Sequence, residues 1–435
     1  MRRSSWYLVG CVALVVGAVV AVALPVGGSP LGSPYGFGPP DPPPGGRCPD
    51  PPIAGSPPES WEVSYGLGWD SGLVEPITPA AARGRDAAGD PYVAVLHDGA
   101  GPGVVIRTAW SARRLELLAL DDEGRSRVRL DLRAIDDGLV LREHEEWSPS
   151  DQVARRVITY GPDGTCWDDA ERADGGSLQQ VGRAVRPAMG RPEPGRWDDV
   201  LDLVGLAAPV VPTGRHDPGV RVVDGAPWTP PGPLAPGDID RMFDTGARVR
   251  TSAGEATIRV HEAGRVKVPS GRLVVMDPTY LPDAAAELTV EVPVPPGTHP
   301  VTLAVARHDT GETVVGARLT VGQEPAVTWD MARREGQELV ELGDGEYYDF
   351  GVDSGTASFA DAAAVDSLAD AAVDAAAARL DLSASVGDDD MILFPSGDGD
   401  GGYPVWVGRD ADGGVVAVVA DMLVLEGPDE FTAGP

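Results

Sequence analysis

Close to its end the chain reads Ser396-Gly397-Asp398-Gly399-Asp400-Gly401-Gly402-Tyr403-Pro404-Val405-Trp406-Val407-Gly408. It continues Arg409-Asp410-Ala411-Asp412-Gly413-Gly414 and then runs apolar from Val415 towards Asp421. Glycine supplies the positive-φ corners of tight turns, and aspartate satisfies turn amides through its side chain. Clusters of the two around short β-branched runs therefore specify a β-hairpin. The second run, Val415-Val416-Ala417-Val418-Val419, does not alternate with polar residues. A strand written that way has to be covered on both faces, so the hairpin is expected inside a sheet.

The same punctuation recurs upstream. Strands are predicted at Pro91 to His97, Gly103 to Trp110, Arg114 to Leu120, Arg127 to Leu132, Leu139 to Glu145 and Arg155 to Tyr160. Asp121-Asp122-Glu123-Gly124, Asp136-Asp137-Gly138 and Gly161-Pro162-Asp163-Gly164 supply turns between them. This is an antiparallel meander. Alternation in Arg127-Val128-Arg129-Leu130-Asp131-Leu132 puts Arg127, Arg129 and Asp131 on a solvated face, and a short helix over Asp198 to Leu206 is expected to help cover the other. His144, between Glu143 and Glu145, reads as a surface residue.

A second set of strands is predicted at Arg248 to Arg250, Thr257 to Val260, Leu273 to Met276, Leu288 to Val292, Val301 to Arg307 and Val314 to Val321. A helix from about Asp361 to Leu382 follows, and the hairpin closes the chain. The fold class is α+β, mainly β: an N-terminal antiparallel β-meander domain, then a C-terminal β-rich domain with one helix and a closing hairpin. The organisation is a signal-anchor or signal peptide at 1–24, a Pro/Gly-rich stalk at 25–58, a β-rich domain at 59–208, a Pro/Gly-rich linker at 209–237, the second domain at 238–427 and a tail at 428–435.

Residues 1–24 stand outside the fold. Arg2 and Arg3 precede a run from Trp6 to Leu24 without charge or proline, long enough to span a bilayer as a helix. Arginines stay on the cytoplasmic side, which places everything after Pro25 outside. The length of the run favours a retained single-pass anchor, and the small residues of Ala21-Val22-Ala23 keep a cleaved signal and a secreted protein as the alternative. Leu8-Val9-Gly10-Cys11 is no lipidation site, because the apolar run follows the cysteine instead of preceding it. In an exported chain, Cys48 and Cys166 are the candidates for one disulfide, with two unrelated thiols as the alternative.

Charge narrows the partners. The chain carries a net charge of −32, and Lys267 is its only lysine. From Asp344 to Glu430 twenty acidic residues face only Arg379 and Arg409. Such a surface repels phosphate backbones, so nucleic acid is excluded as a partner and membrane contact is confined to the N-terminal apolar segment. The partner class left is a protein or a small-molecule ligand.

Five sequence words of the second domain carry a resemblance. They are Pro269-Ser270-Gly271-Arg272-Leu273-Val274 with Asp277-Pro278; Val294-Pro295-Pro296-Gly297-Thr298-His299-Pro300-Val301; Val327-Thr328-Trp329-Asp330-Met331-Ala332; Gly351-Val352-Asp353-Ser354-Gly355 with Asp361; and the terminal Gly-Asp-Gly hairpin. In this order they resemble the bacterial domain-of-unknown-function 4241 family, over roughly residues 238–425. The resemblance implies a fold neighbourhood and no assigned activity, and an exported stalk departs from a soluble intracellular pattern.

Asp277, Asp353, Asp361, Asp398, Asp400 and Asp421 are the candidate functional or structural acidic positions. Glycine-bearing, oxygen-rich loops bind calcium or magnesium, which makes Asp398 and Asp400 the candidate metal ligands. The loop lacks the later acidic positions and the distal glutamate of a full calcium loop, and plain turn chemistry is the favoured reading. No other cofactor is evident. Asp366, Asp370 and Asp374 line one helix face, opposite Val365, Leu368, Ala372, Ala376 and Leu380, and read as a solvated surface. Nucleophile elbows, phosphate loops and zinc-protease motifs are absent from the sequence. The sequence therefore predicts an envelope protein presenting a binding module; a carboxylate-dependent, metal-assisted hydrolase in the second domain is the alternative.

Overall fold

Short strands joined by aspartate- and glycine-bearing turns account for most of the molecule, as the turn chemistry predicts. The computed structural model describes residues 47–426 apart from 99–100, 137, 148–153, 213–219, 281–289, 378–379 and 381. The apolar N-terminal segment, the stalk up to residue 46 and the tail lie outside the described residues, as does the lipidation motif. No helix among the described residues is long and apolar enough to cross a membrane. The described residues divide into two compact units: 47–232 together with Leu339–Asp344, and 233–338 together with 345–426.

In the first unit, β1 (Trp61–Trp69) and β2 (Leu73–Ile77) form a hairpin, followed by helix α1 (Pro79–Ala88). The meander is β3 (Tyr92–His97), β4 (Pro102–Ala109), β5 (Arg114–Leu120), β6 (Ser126–Ile135), β7 (Gly138–Trp147), β8 (Arg155–Tyr160), β9 (Thr165–Glu171) and β10 (Ser177–Arg183). Each strand is antiparallel to the next. Between β5 and β6, Asp121 Oδ1 accepts from the backbone N–H of Glu123 and Arg125, and Gly124 takes φ +76°. These are the local bonds that favour a turn over a continued strand.

After β11 (Ala188–Gly190) and α2 (Asp198–Asp202), β12 (Val210–Pro212) pairs parallel with β1, and β13 (Val222–Val223) pairs parallel with β2. Both strands come from the segment 209–237 that reads as linker, and the division between the two units, between Gly232 and Pro233, also falls within it. The core lies on one sheet face, where Leu96, Ile106, Leu117, Leu130 and Leu141 meet Ala82 of α1 and Val200 and Leu201 of α2.

The opposite face differs from expectation. Asp131, Glu116, Arg114 and Arg133 on it are buried and Arg107 and Arg129 half-buried: Asp131 accepts from Arg114 (2.9 Å) and Arg133 (2.8 Å), and Glu116 pairs with Arg107 (2.8 Å) and Arg129 (2.6 Å). Alternation separates two faces but does not say which is wet. Burial works against the guanidinium charges, and it pulls Arg133 down to about 10 despite Asp131 beside it. His144 is likewise buried, not on the surface. Its ring lies 3.3 Å from the Tyr160 hydroxyl, and burial lowers its pKa to about 4.

In the second unit, α3 (Ile239–Met242) precedes β14 (Arg248–Thr251), β15 (Gly254–Val268), β16 (Arg272–Met276) and β17 (Val290–Pro293). Next come β18 (Gly297–His308), β19 (Gly311–Thr320), β20 (Thr328–Met331), β21 (Asp349–Val352) and β22 (Thr356–Asp361). Helix α4 (Val365–Ala377), β23 (Ala384–Val386), β24 (Met391–Pro395), β25 (Gly401–Arg409) and β26 (Val415–Asp421) complete it.

One sheet runs β14-β15-β18-β19-β26-β25-β20, with β21 also on β25, and the other runs β17-β16-β22-β24-β23. The closing hairpin is internal: β26 lies between β19 and β25. Strand β25 changes partners along its length, from β21 at Gly401 to Pro404 to β20 from Trp406 onward. Pro404, which has no N–H to donate, stands at that change.

The two sheets pack through β15 against β22 and β24, and within the smaller sheet Phe359 of β22 meets Phe394 of β24 at a centroid distance of 5.1 Å. On the outer face of the smaller sheet, α4 covers Val274, Met276 and Leu393 with Val365, Leu368 and Ala372. The helix starts four residues later than predicted because Asp361 ends β22. Asp366, Asp370 and Asp374 are exposed on its far side.

Candidate functional site

Three of the resembling words meet at one end of the second unit. β16 ends in Met276, and Asp277-Pro278-Thr279-Tyr280 turns away from it through a short 3-10 helix. The loop Asp353-Ser354-Gly355 joins β21 to β22, and the glycine-rich loop from Ser396 joins β24 to β25.

Asp277, with no exposed surface, is the junction. Its Oδ2 accepts the backbone N–H groups of Asp353 (2.9 Å) and Ser354 (2.8 Å). Its Oδ1 accepts from the Ser354 hydroxyl (2.9 Å) and from the Thr279 N–H and hydroxyl (2.7 Å each). A buried carboxylate in this position is a structural staple between residues 76 and 77 apart in sequence.

Around it stand groups with shifted protonation. Burial, and then the neighbouring Asp353 carboxylate, push the Tyr280 phenol up. Burial raises Asp353, with the charge of Asp277 adding to it. Asp400 is raised by burial and next by the charge of Asp353, while the Gly355 N–H it accepts works the other way. The glycine loop is closed by Tyr403, whose hydroxyl lies 2.8 Å and 2.7 Å from the Ser396 and Gly399 carbonyl oxygens. Asp398 is exposed at the loop tip, and Asp353 and Asp400 are also exposed, so the burial acting on them is partial.

Asp361 is elsewhere, buried, accepting from Ser270 N–H (2.8 Å) and Ala363 N–H (2.7 Å). Asp421 ends β26, where it accepts from Trp406 Nε1 (3.2 Å) and Leu423 N–H (2.9 Å). The structure thus brings Asp277, Asp353 and Asp400 together and leaves Asp361 and Asp421 in other hydrogen-bond sets. Among the described residues no group of three or more His, Cys, Asp or Glu side chains is arranged to hold a metal ion. In the first unit Cys48 and Cys166 are joined by a disulfide, with Cα atoms 6.4 Å apart.

If Asp277 is a staple, Asp277→Ala should destabilise the second unit by about 2–3 kcal/mol, since it strands buried amide donors. Asp277→Asn should cost nearly as much, because its NH2 would face the donors at Asp353 and Ser354. Urea denaturation of both variants checks this. Wild-type stability in Asp277→Ala would remove the staple.

Sequence reading passed over Asp349, on β21 beside the site. It is buried, and a side chain at Gly402 would overlap its carboxylate. Burial, opposed by the charge of Arg334, raises Asp349 to about 6. A raised carboxyl binds its proton more tightly in the folded state. Its stabilising contribution is present at about pH 4 and below, and is lost as pH rises through about 6. Asp349→Asn should therefore stabilise the second unit by about 2–3 kcal/mol at neutral pH and flatten its pH dependence between those limits. Melting curves across that range measure it, and an unchanged slope would show that Asp349 is not the titrating group. The signal available in sequence was Asp349 in an apolar, aromatic context, Tyr347-Tyr348-Asp349-Phe350.

No curated protein matches the chain at a significant level. Residues 266–420, which carry the Asp277, Asp353 and Asp400 junction, match the family model described as "Protein of unknown function (DUF4241)".

Proposed function

We propose that the protein is an extracytoplasmic, non-catalytic interaction protein, held at or exported through the membrane by residues 1–24 and presenting two β-rich units to a protein or small-molecule partner. The observation that carries the reading is the state of the buried carboxylates at the resembling positions. Asp277 and Asp361 are both engaged by backbone N–H groups that hold turns, which leaves neither free to act as acid or base. The Cys48–Cys166 disulfide supports the location, because such bonds persist in oxidising compartments.

Calorimetric titration of the purified chain with calcium and magnesium tests the binding class. The expected result is no saturable heat. Saturable binding that Asp398→Ala and Asp400→Ala abolish would shift the assignment to a metal-assisted enzyme. A reporter active only in the cytoplasm, fused after Pro58, should stay silent; a strongly active fusion would end the export reading.

A two-carboxylate hydrolase is the second reading, favoured by Asp353 and Asp400, whose charges oppose each other beside the Tyr280 phenol. Hydrolysis of a glycoside or ester panel that is lost in Asp353→Asn and Asp400→Asn would support it.

A further inference from the structure

In the second unit the chain from Leu234 through α3, together with β14 and the chain just after β26, lines a partly open cavity of about 340 Å³. That is within the range of small-molecule sites, about 300–1,000 Å³. All of its lining residues fall outside residues 266–420, so the cavity is separate from the portion that matches the family model.

Its walls are mostly apolar, with Leu234, Met242, Val249 and Leu425 among them. One buried ionisable group, Asp421, lines it. Both Asp421 oxygens accept from neutral donors, Trp406 Nε1 and Leu423 N–H, and among the described residues no cation pairs with it. The arginines of the lining are engaged elsewhere: Arg241 donates to the Arg248 carbonyl at 2.7 Å, and Arg250 faces Glu426 at 3.8 Å.

The bond from Leu423 N–H holds that leucine at φ +52°, a conformation leucine adopts only at a cost of about 1–3 kcal/mol. It leaves Leu423 40% exposed in the cavity lining. Asp421 is thus a buried carboxyl with no cation beside it among the described residues, and burial raises its pKa, so a cation placed against it is what would hold it in the charged form.

We propose that this cavity binds a small organic amine, with its ammonium group on Asp421 and its apolar body against Leu234, Met242, Val249 and Leu425. The match of shape and charge selects the class: an anion would meet the carboxylate, and a neutral molecule would leave it unpaired. The inference stands whichever side of the membrane the chain occupies, so its failure and the failure of the export reading are separate results.

The test is calorimetric titration of the purified full chain with 2-phenylethylamine, 2-phenylethanol and 3-phenylpropionate. The amine should bind saturably at one site, the alcohol at least about tenfold more weakly, and the carboxylate not at all. Asp421→Asn should weaken the amine at least about tenfold and leave the alcohol unchanged. Ala235→Trp, a change at an exposed lining residue, should block the amine without touching the core, and it decides the matter if Asp421→Asn lowers the melting temperature. Equal affinity for amine and alcohol, undiminished amine binding in a folded Asp421→Asn or in Ala235→Trp, or no saturable amine binding overturns the proposal.

Discussion

Removal of residues from Gly408 onward will abolish cooperative melting of the second unit. β26 is an inner strand, paired to β19 on one side and β25 on the other, so its loss strips ladder hydrogen bonds from both neighbours. It also takes away Val416, Val418, Val419 and Met422, all buried. At roughly 1.5–3 kcal/mol for each fully buried side chain, these four account for as much as the whole stability of a typical domain, about 5–15 kcal/mol. Calorimetry of the truncated chain should show the first unit's transition alone, with loss of the tertiary signal from Trp406, whose ring is 1% exposed beside Asp421. A second unit that still melts cooperatively near its intact temperature would show the hairpin to be peripheral.

Reduction of Cys48–Cys166 will lower the melting temperature of the first unit by about 10 °C or more. The bond closes a loop across a sequence separation of 118, which takes in the chain from β1 to β9. On the chain-entropy account, a loop of that length is worth about 4–5 kcal/mol, and each kcal/mol moves the midpoint of a unit this size by about 2–4 °C. Both cysteines are buried in the core of the first unit, so Cys48→Ala with Cys166→Ala keeps the packing nearly intact and isolates the covalent link. Melting with and without a phosphine reductant measures the effect. An unchanged midpoint in the reduced protein would mean that the link adds nothing to folding.

The meander and the closing hairpin could be read from the chain because turn formation is local. Asp121 needs only Glu123 and Arg125 to close its corner, and all three lie within five residues. The unbroken apolar run at Val415 to Val419 likewise implied an inner strand. Less could be read where small residues form strands: β22, Thr356-Ala357-Ser358-Phe359-Ala360-Asp361, is wholly buried yet lacks the β-branched pattern. The helix was predicted to begin at Asp361, but that carboxylate accepts from Ser270 N–H, 91 residues away, as well as from Ala363 N–H beside it, and the residue ends β22.

By itself the sequence determined the mainly-β class, the order of the strands from Pro91 to Tyr160 and the internal hairpin, and it named Cys48 and Cys166 only as candidates for a disulfide that the structure then shows. The tertiary structure decided which polar face is buried, turning Asp131 from a solvated residue into the partner of Arg114 and Arg133. It also gathered Asp277, Asp353 and Asp400 into one junction while placing Asp421 in a cavity wall. The reason is range: turns and alternation are fixed by neighbours within a few residues, whereas burial and the meeting of charges depend on which distant segments pack together. A carboxylate reads the same in sequence whether it holds a turn, faces water, or stands in an apolar cavity without a cation.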